Sequence, residues 1–393
     1  MLEPIFWHLY HFLFQTYKAL KTQLESAGVT VDFCTPWKNL EYWAFPLYPQ
    51  FRIISGSKMN IQKFRKLISK ADVVIFSDSA MMILLVTECF LQGKRCLWGL
   101  HTDMLNRSEA LRLPSFFINL LYSMGSYFSD ISFTTSYIFK EKLKNIGFEI
   151  NFVMDQDFKC EEFKVVDSDD EIVGVRSNLL IEGTKYIAIY AGRLSKEKRI
   201  ELLFDAVPDE VTLLIVGDGP EKQNITELIT RHKNIKIIPE MVSQSTLRKY
   251  YKASDLHISA SDGETYGMTV REALYCETPV VVQNKGGFVE QVRQDVDGYL
   301  IDFSDPYKAK SSIEKACQML HTFEPKPRHN DVIDLPTYII NQEYRKVEPF
   351  SRIKWKKIAY FGISVFQYII VICYYIVQFF YSRFVYSRIK KFE

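Results

Sequence analysis

Short runs of apolar residues, each closed by a polar or glycine-containing loop, recur along most of the chain. Residues 71–77, 95–99 and 131–136 form such runs in the first part, and residues 186–192, 211–217, 235–238, 256–259 and 279–282 in the second. Unbroken hydrophobicity, rather than alternation, is expected of strands covered on both faces of a parallel sheet. Between them lie stretches with helical spacing, among them 61–70, 81–91 and 113–128, and residues 28–34 read as a turn and a further strand. Repeated β–α units predict two Rossmann-like halves. No period of roughly 20–50 residues is visible, which disfavours a solenoid.

The loops hold the candidate chemistry. In residues 256–274 a strand runs into a polar loop and then a helix, with Glu264 and Glu272 separated by seven residues. Gly263 and Gly267 leave room beside the backbone, and the amides of the helix start suit an anion such as a diphosphate. One carboxylate in the loop and one inside the helix are placed to hold hydroxyl groups on either side of that anion. After the 186–192 strand, Gly192-Arg193 and Lys198 set two cations five residues apart, a pairing that fits a diphosphate leaving group. Gly217-Asp218-Gly219-Pro220 is a turn, and Gly286-Gly287 precede a helix start. His101 sits just past the carboxyl end of the 95–99 strand, the edge at which open α/β sheets bind ligands.

Composition narrows the partners. Lys+Arg is 49 and Asp+Glu 47, so no overall field selects nucleic acid. The seven cysteines are dispersed and lack metal-ligand spacing; buried reduced thiols are expected, and no metal site. The N-terminal stretch lacks a basic n-region and a cleavage site, so a buried first helix is expected in place of a signal peptide. Residues 358–381 contain no charge and have basic residues at both flanks. At ~1.5 Å per residue such a helix reaches roughly 36 Å, which predicts a transmembrane span.

The order and spacing of these motifs, from Gly192-Arg193…Lys198 through Val216-Gly217-Asp218-Gly219-Pro220 and Glu264-x7-Glu272 to Gly286-Gly287…Glu290, resembles the donor domain of family-4 retaining glycosyltransferases. Within that family the chain looks closest to sulfoquinovosyl and glucosyl transferases that act on diacylglycerol. The resemblance implies an α/β GT-B fold of two Rossmann-like domains with a cleft between them. Residues 1–160 would be the acceptor-side domain, lacking its first strand, and 161–335 the nucleotide-sugar donor domain. A cross-back helix and basic linker (336–357), the membrane span (358–381) and a basic tail (382–393) would follow. The implied activity is transfer of a sugar from a nucleotide-diphosphate donor, such as a UDP-sugar, to a membrane lipid such as diacylglycerol, with no cofactor or metal. A non-lipid acceptor, or a catalytically impaired membrane-tethered relative that binds nucleotide sugar, is the alternative.

By the same resemblance Arg193 and Lys198 would neutralise the diphosphate, Glu264 would contact the donor sugar, and Glu272 would bind the ribose hydroxyls. The backbone at Tyr266, Gly267 and Met268, with Gly192, Gly217, Gly286 and Gly287, would line the donor, and His101 would stand on the acceptor side near the reacting carbon. Glu277 stands where a glycine is common in that family. The catalytic domains would face the cytosol or stroma, anchored by the single C-terminal span.

Overall fold

The computed structural model describes residues 20–31, 66, 68–77, 89, 92–101, 103, 115–157, 160–328, 332–341 and 343–346. Two compact units are distinguished. One comprises residues 134–337 with His101–Asp103 and 1–22, the other 23–100, 104–133 and 338–393. The donor-side motifs all fall in the unit that includes residues 134–337.

In the smaller sheet, β1 (Val73–Ser77), β2 (Arg95–Leu100) and β3 (Ile131–Thr134) lie in chain order. β1 and β2 are parallel, with Val73 opposite Arg95 and Ser77 opposite Gly99. Helix α1 (Ser115–Phe128) leads into β3 and buries Ile118, Tyr122 and Phe128. Gly125 on α1 faces the Trp98 indole so closely that a Cβ would lie 2.5 Å from it. Residues 29–31 are not a strand, so the strand expected at 28–34 is absent as far as those residues go. The rest of it, the helix at 81–91 apart from Cys89, and the span at 358–381 lie outside the described residues. Among the described residues no helix is long and apolar enough to cross a membrane.

The larger unit starts with α2 (Tyr137–Asn145), whose first turn is capped by the Ser136 hydroxyl accepting from the Phe139 amide. β4 (Phe152–Val153) and α3 (Asp169–Leu179) lead to β5 (Tyr186–Ala191). Then come α4 (Glu201–Ala206), β6 (Val211–Val216), α5 (Lys222–Ile229), β7 (Ile235–Ile238) and α6 (Gln244–Ala253). β8 (Leu256–Ser259), α7 (Met268–Tyr275), β9 (Val280–Gln283), α8 (Phe288–Gln291), β10 (Gly298–Ile301) and α9 (Pro306–Gln318) complete it, with α10 (Leu335–Ile340) beyond.

The six strands are ordered β10-β9-β8-β5-β6-β7, and each adjacent pair is parallel. Five of them match the apolar runs. β10 was not foreseen, because a four-residue strand at a half-exposed edge carries little hydrophobic signal. Alternate residues of the central strands serve opposite cores. Ala188, Tyr190, Leu213, Ile215, Leu256 and Ile258 pack with residues of α4 and α9. Ile187, Ile189, Leu214, Val216, Val280 and Val282 pack with Tyr251, Val270, Ala273 and Phe288. Burial on both faces is the reason the runs do not alternate. Chain order reverses between β5 and β8, which makes the carboxyl ends of those two strands a topological switch point.

All five described cysteines, Cys89, Cys96, Cys160, Cys276 and Cys317, are buried free thiols. Cys34 and Cys373 lie outside the described residues.

Candidate donor site at the switch point

The loop leaving β5 is shaped by glycines before any ligand is considered. Gly192 (φ 146°) and Gly217 (φ 149°) end neighbouring strands, and a Cβ on Gly217 would lie 1.9 Å from the Gly192 carbonyl oxygen. Gly219 packs as tightly on the Leu194 backbone, and the Leu194 amide donates to the Asp218 carbonyl at 3.0 Å. The 217–220 turn is thus a brace for the β5 loop.

That brace sets the two expected cations. The Arg193 carbonyl accepts from the buried Tyr190 hydroxyl at 2.9 Å. Its guanidinium donates to Ser195 Oγ at 3.1 Å and is ion-paired with Glu197. Burial opposes ionisation of Glu197, but the Arg193 charge and the hydrogen bonds around it prevail and hold its pKa at about 2. Lys198 ends a short 3-10 turn (Lys196–Lys198) and is ion-paired with Glu264 of the β8 loop. Arg199 follows in left-handed backbone, φ 51°, and its guanidinium lies 3.4 Å from Asp262. Two adjacent cations therefore meet two carboxylates spaced two residues apart, joining the β5 and β8 loops across the switch point. Lys285, mostly exposed, also reaches Asp262, at 3.7 Å.

The β8 loop is held from its other side by the paired glycines. A Cβ on Gly286 (φ 59°) would lie 2.5 Å from the Glu264 carbonyl oxygen, and one on Gly287 2.4 Å from that of Tyr266. The Gly287 amide donates to the Glu264 carbonyl at 3.0 Å. Gln291 Nε2 donates to the carbonyls of both Tyr266 and Gly267. Glycine is required here for one loop to approach another. Gly267 (φ 91°) abuts the Phe288 ring and precedes α7. Helix geometry leaves the first amides of α7, from Met268 on, outside the intrahelical ladder. Gly263 has open space where a Cβ would stand.

Glu272 lies on α7 and accepts from the Tyr251 hydroxyl at 3.2 Å. The preceding residue, Arg271, points about 100° round the helix from it and meets different partners. It is buried and bonded to Asp157, 2.6 Å from Nε to Oδ1, and it donates to the Arg328 carbonyl. The helix that carries Glu272 is thus pinned from behind to the 155–157 crossing. Glu290 on α8 caps α2, accepting from the Tyr137 amide at 2.8 Å and from the Ile138 amide. Burial raises its pKa even so.

His101 does follow β2, as expected, and it is buried beside Asp103, which is ion-paired with Lys142 of α2. Among the described residues no three His, Cys, Asp or Glu side chains converge as a cation cage would require. Sequence reasoning missed Glu197, Arg199, Asp262, Tyr251, Arg271 and Asp157. Their partners are 4 to 114 residues distant, and only the short Arg193–Glu197 spacing was legible without the fold.

Residues 175–322 match the family of glycosyl transferases group 1. An uncharacterized glycosyltransferase of Methanocaldococcus jannaschii is 25% identical over 52% of this chain and 51% of its own length. The alpha-monoglucosyldiacylglycerol synthase of Acholeplasma laidlawii is 26% identical over 67% of this chain and 74% of its own. The sulfoquinovosyl transferase of Arabidopsis thaliana is 28% identical over 37% of this chain and 28% of its own. The chain thus spans about half the length of the first of these relatives and less of the third. Anabaena HepE, solved with UDP, superposes with a TM-score of 0.59 at 18% identity, covering 77% of this chain and 82% of that one. That likeness speaks for the fold alone. The domain built on the switch point, residues 175–322, is thus similar to the glycosyl transferases of group 1, and the chain has the parallel α/β sheets of the GT-B fold.

Proposed function

We propose that the chain is a retaining glycosyltransferase that moves a sugar from a nucleotide diphosphate to a lipid acceptor. The observation that carries this reading is the ion pair of Lys198 with Glu264 across the switch point, beside the helix that holds Glu272. It sets a cation, a sugar-binding carboxylate and a ribose-binding carboxylate around one crevice. In the reaction an acceptor hydroxyl attacks the anomeric carbon as the bond to the β-phosphate oxygen breaks. The departing phosphate takes the hydroxyl proton. Arg193 and Lys198 stabilise the charge that grows on it, where preorganised donors act most strongly. His101 serves the acceptor side.

The alpha-monoglucosyldiacylglycerol synthase among the relatives supports a lipid acceptor. The charge-free 358–381 segment supports a single C-terminal membrane anchor, with the catalytic part on the cytosolic or stromal side. The test is a mass-resolved assay of membranes bearing the chain, given UDP- and GDP-sugars with diacylglycerol and non-lipid acceptors. A donor-dependent glycolipid that disappears with Glu272→Ala is expected. Product on a non-lipid acceptor alone would overturn the lipid assignment, and nucleotide-sugar binding without turnover would favour an impaired relative.

A further inference from the structure

The carboxylate of Glu272 rests on a buried polar column. Tyr251, on α6, is fully buried, and its hydroxyl donates to Glu272 Oε2 at 3.2 Å. The ring is clamped edge-on by Phe163 at 6.1 Å and by His257 at 5.6 Å between centroids. Its own carbonyl accepts from the Thr278 hydroxyl at 2.9 Å. His257 stands in the middle of β8, wholly buried, with Nδ1 3.0 Å from the Ile189 carbonyl of β5. Desolvation lowers its pKa to about 4, so at neutral pH the imidazole is uncharged and its Nδ1–H donates to that carbonyl.

The other buried sheet residues packed on this face are Ile187, Ile189, Ala191, Leu214, Val216, Val280 and Val282. A phenol and an imidazole among them carry a desolvation cost that a phenylalanine or valine would avoid. The one feature that distinguishes tyrosine from phenylalanine at 251 is the hydroxyl, and the hydroxyl ends on Glu272. A glutamate on a helix has several rotamers open to it, and a hydrogen bond from a clamped ring favours the one that meets it.

We propose that Tyr251, braced by His257, is the positioning residue that fixes the Glu272 carboxylate for the vicinal hydroxyls of the donor ribose. It rests on the donor-site reading of Glu272 given above. Tyr251 touches no substrate; it acts through the rotamer of Glu272.

The experiment is calorimetric titration of the full chain with UDP and GDP, each in its ribo and 2′-deoxy form, for wild type, Glu272→Gln and Tyr251→Phe. Melting temperatures are recorded alongside. The wild type is expected to prefer the ribo form of its nucleotide by about tenfold, as for one hydrogen bond to a charged group. Glu272→Gln, which still offers the Tyr251 hydroxyl an acceptor, abolishes that preference. Tyr251→Phe, which keeps the ring, cuts it several-fold by weakening the ribo form alone.

If Tyr251→Phe weakens both forms equally or leaves the preference intact while Glu272→Gln abolishes it, the positioning role falls and the donor site stands. If the wild type shows no ribose preference, or Glu272→Gln retains it, the ribose role of Glu272 falls and that of Tyr251 with it.

Discussion

The Lys198 ammonium is bonded to the Glu264 carboxylate. In the proposed function, the charge assigned to the donor diphosphate is therefore met by the residue assigned to the donor sugar. Both side chains are less than a fifth exposed, so the pair is only partly screened by water. On the proposed donor reading, an arriving diphosphate, with more than one negative charge, would compete for Lys198 and release Glu264 toward the sugar, so that the pair would couple diphosphate binding to sugar binding.

Glu264→Gln tests that coupling. Removing the competing charge strengthens donor binding, so KM for the donor falls a few-fold. The neutral amide holds the sugar less well as positive charge develops at the anomeric carbon, so kcat falls about 100-fold. Steady-state kinetics reads both. A higher KM with unchanged kcat would mean that the residue contributes ground-state binding only.

Glu197 makes a prediction about pH. Its pKa is held at about 2, below the ordinary value of 4.5, chiefly because the Arg193 charge outweighs the effect of burial. A lowered carboxylate pKa stabilises the fold above the unfolded-state value, and the benefit is lost as pH falls through the folded-state value. Glu197→Gln should therefore cost about 1–2 kcal/mol at pH 7, allowing for a side chain one-third exposed. The difference from wild type should shrink below pH 4.5 and vanish near pH 2. Chemical denaturation across that range measures it.

Arg199→Gly separates a tether from a fold determinant. Left-handed backbone costs a non-glycine residue about 1–2 kcal/mol, and the partly exposed pair with Asp262 returns about 1 kcal/mol or less. Glycine relieves the strain at the cost of a somewhat larger unfolded ensemble, and loss of the ion pair offsets the net gain. Stability should change by about 1 kcal/mol or less, while loss of one of the two ion pairs that join the β5 and β8 loops raises the donor KM several-fold. Thermal melts and donor titrations check the two halves separately. An unchanged KM would remove Arg199 from the site.

Glu277 and Gly287 should respond in opposite senses. Glu277 lies just past the end of α7 at φ 58°, where glycine carries no Cβ penalty, so Glu277→Gly should stabilise by roughly 0.5–1 kcal/mol. Gly287→Ala would set a methyl 2.4 Å from the Tyr266 carbonyl, displace the 264–266 loop and cost about 2–3 kcal/mol. Melting temperatures give both signs, and nucleotide binding should fall only in the second variant.

The apolar runs were enough to place five of the six strands of the larger sheet, because strands buried on both faces must be continuously hydrophobic. The motif spacing placed Arg193, Lys198, Glu264 and Glu272 on the loops and helix that follow β5 and β8, since a loop stays attached to its strand whatever the topology. Sequence could not order the strands: adjacency of β5 and β8 depends on a chain reversal that no local signal records. That adjacency alone brings Lys198 to Glu264, 66 residues on, and Arg199 to Asp262. It also lies outside any local pattern that a tyrosine on α6 supports a glutamate on α7, or that Gly286 and Gly287 exist for a neighbouring loop. Local hydrophobicity thus determined the elements and their loops, and only tertiary packing decided which charges meet, because pairing energies act through space and leave no period in the chain.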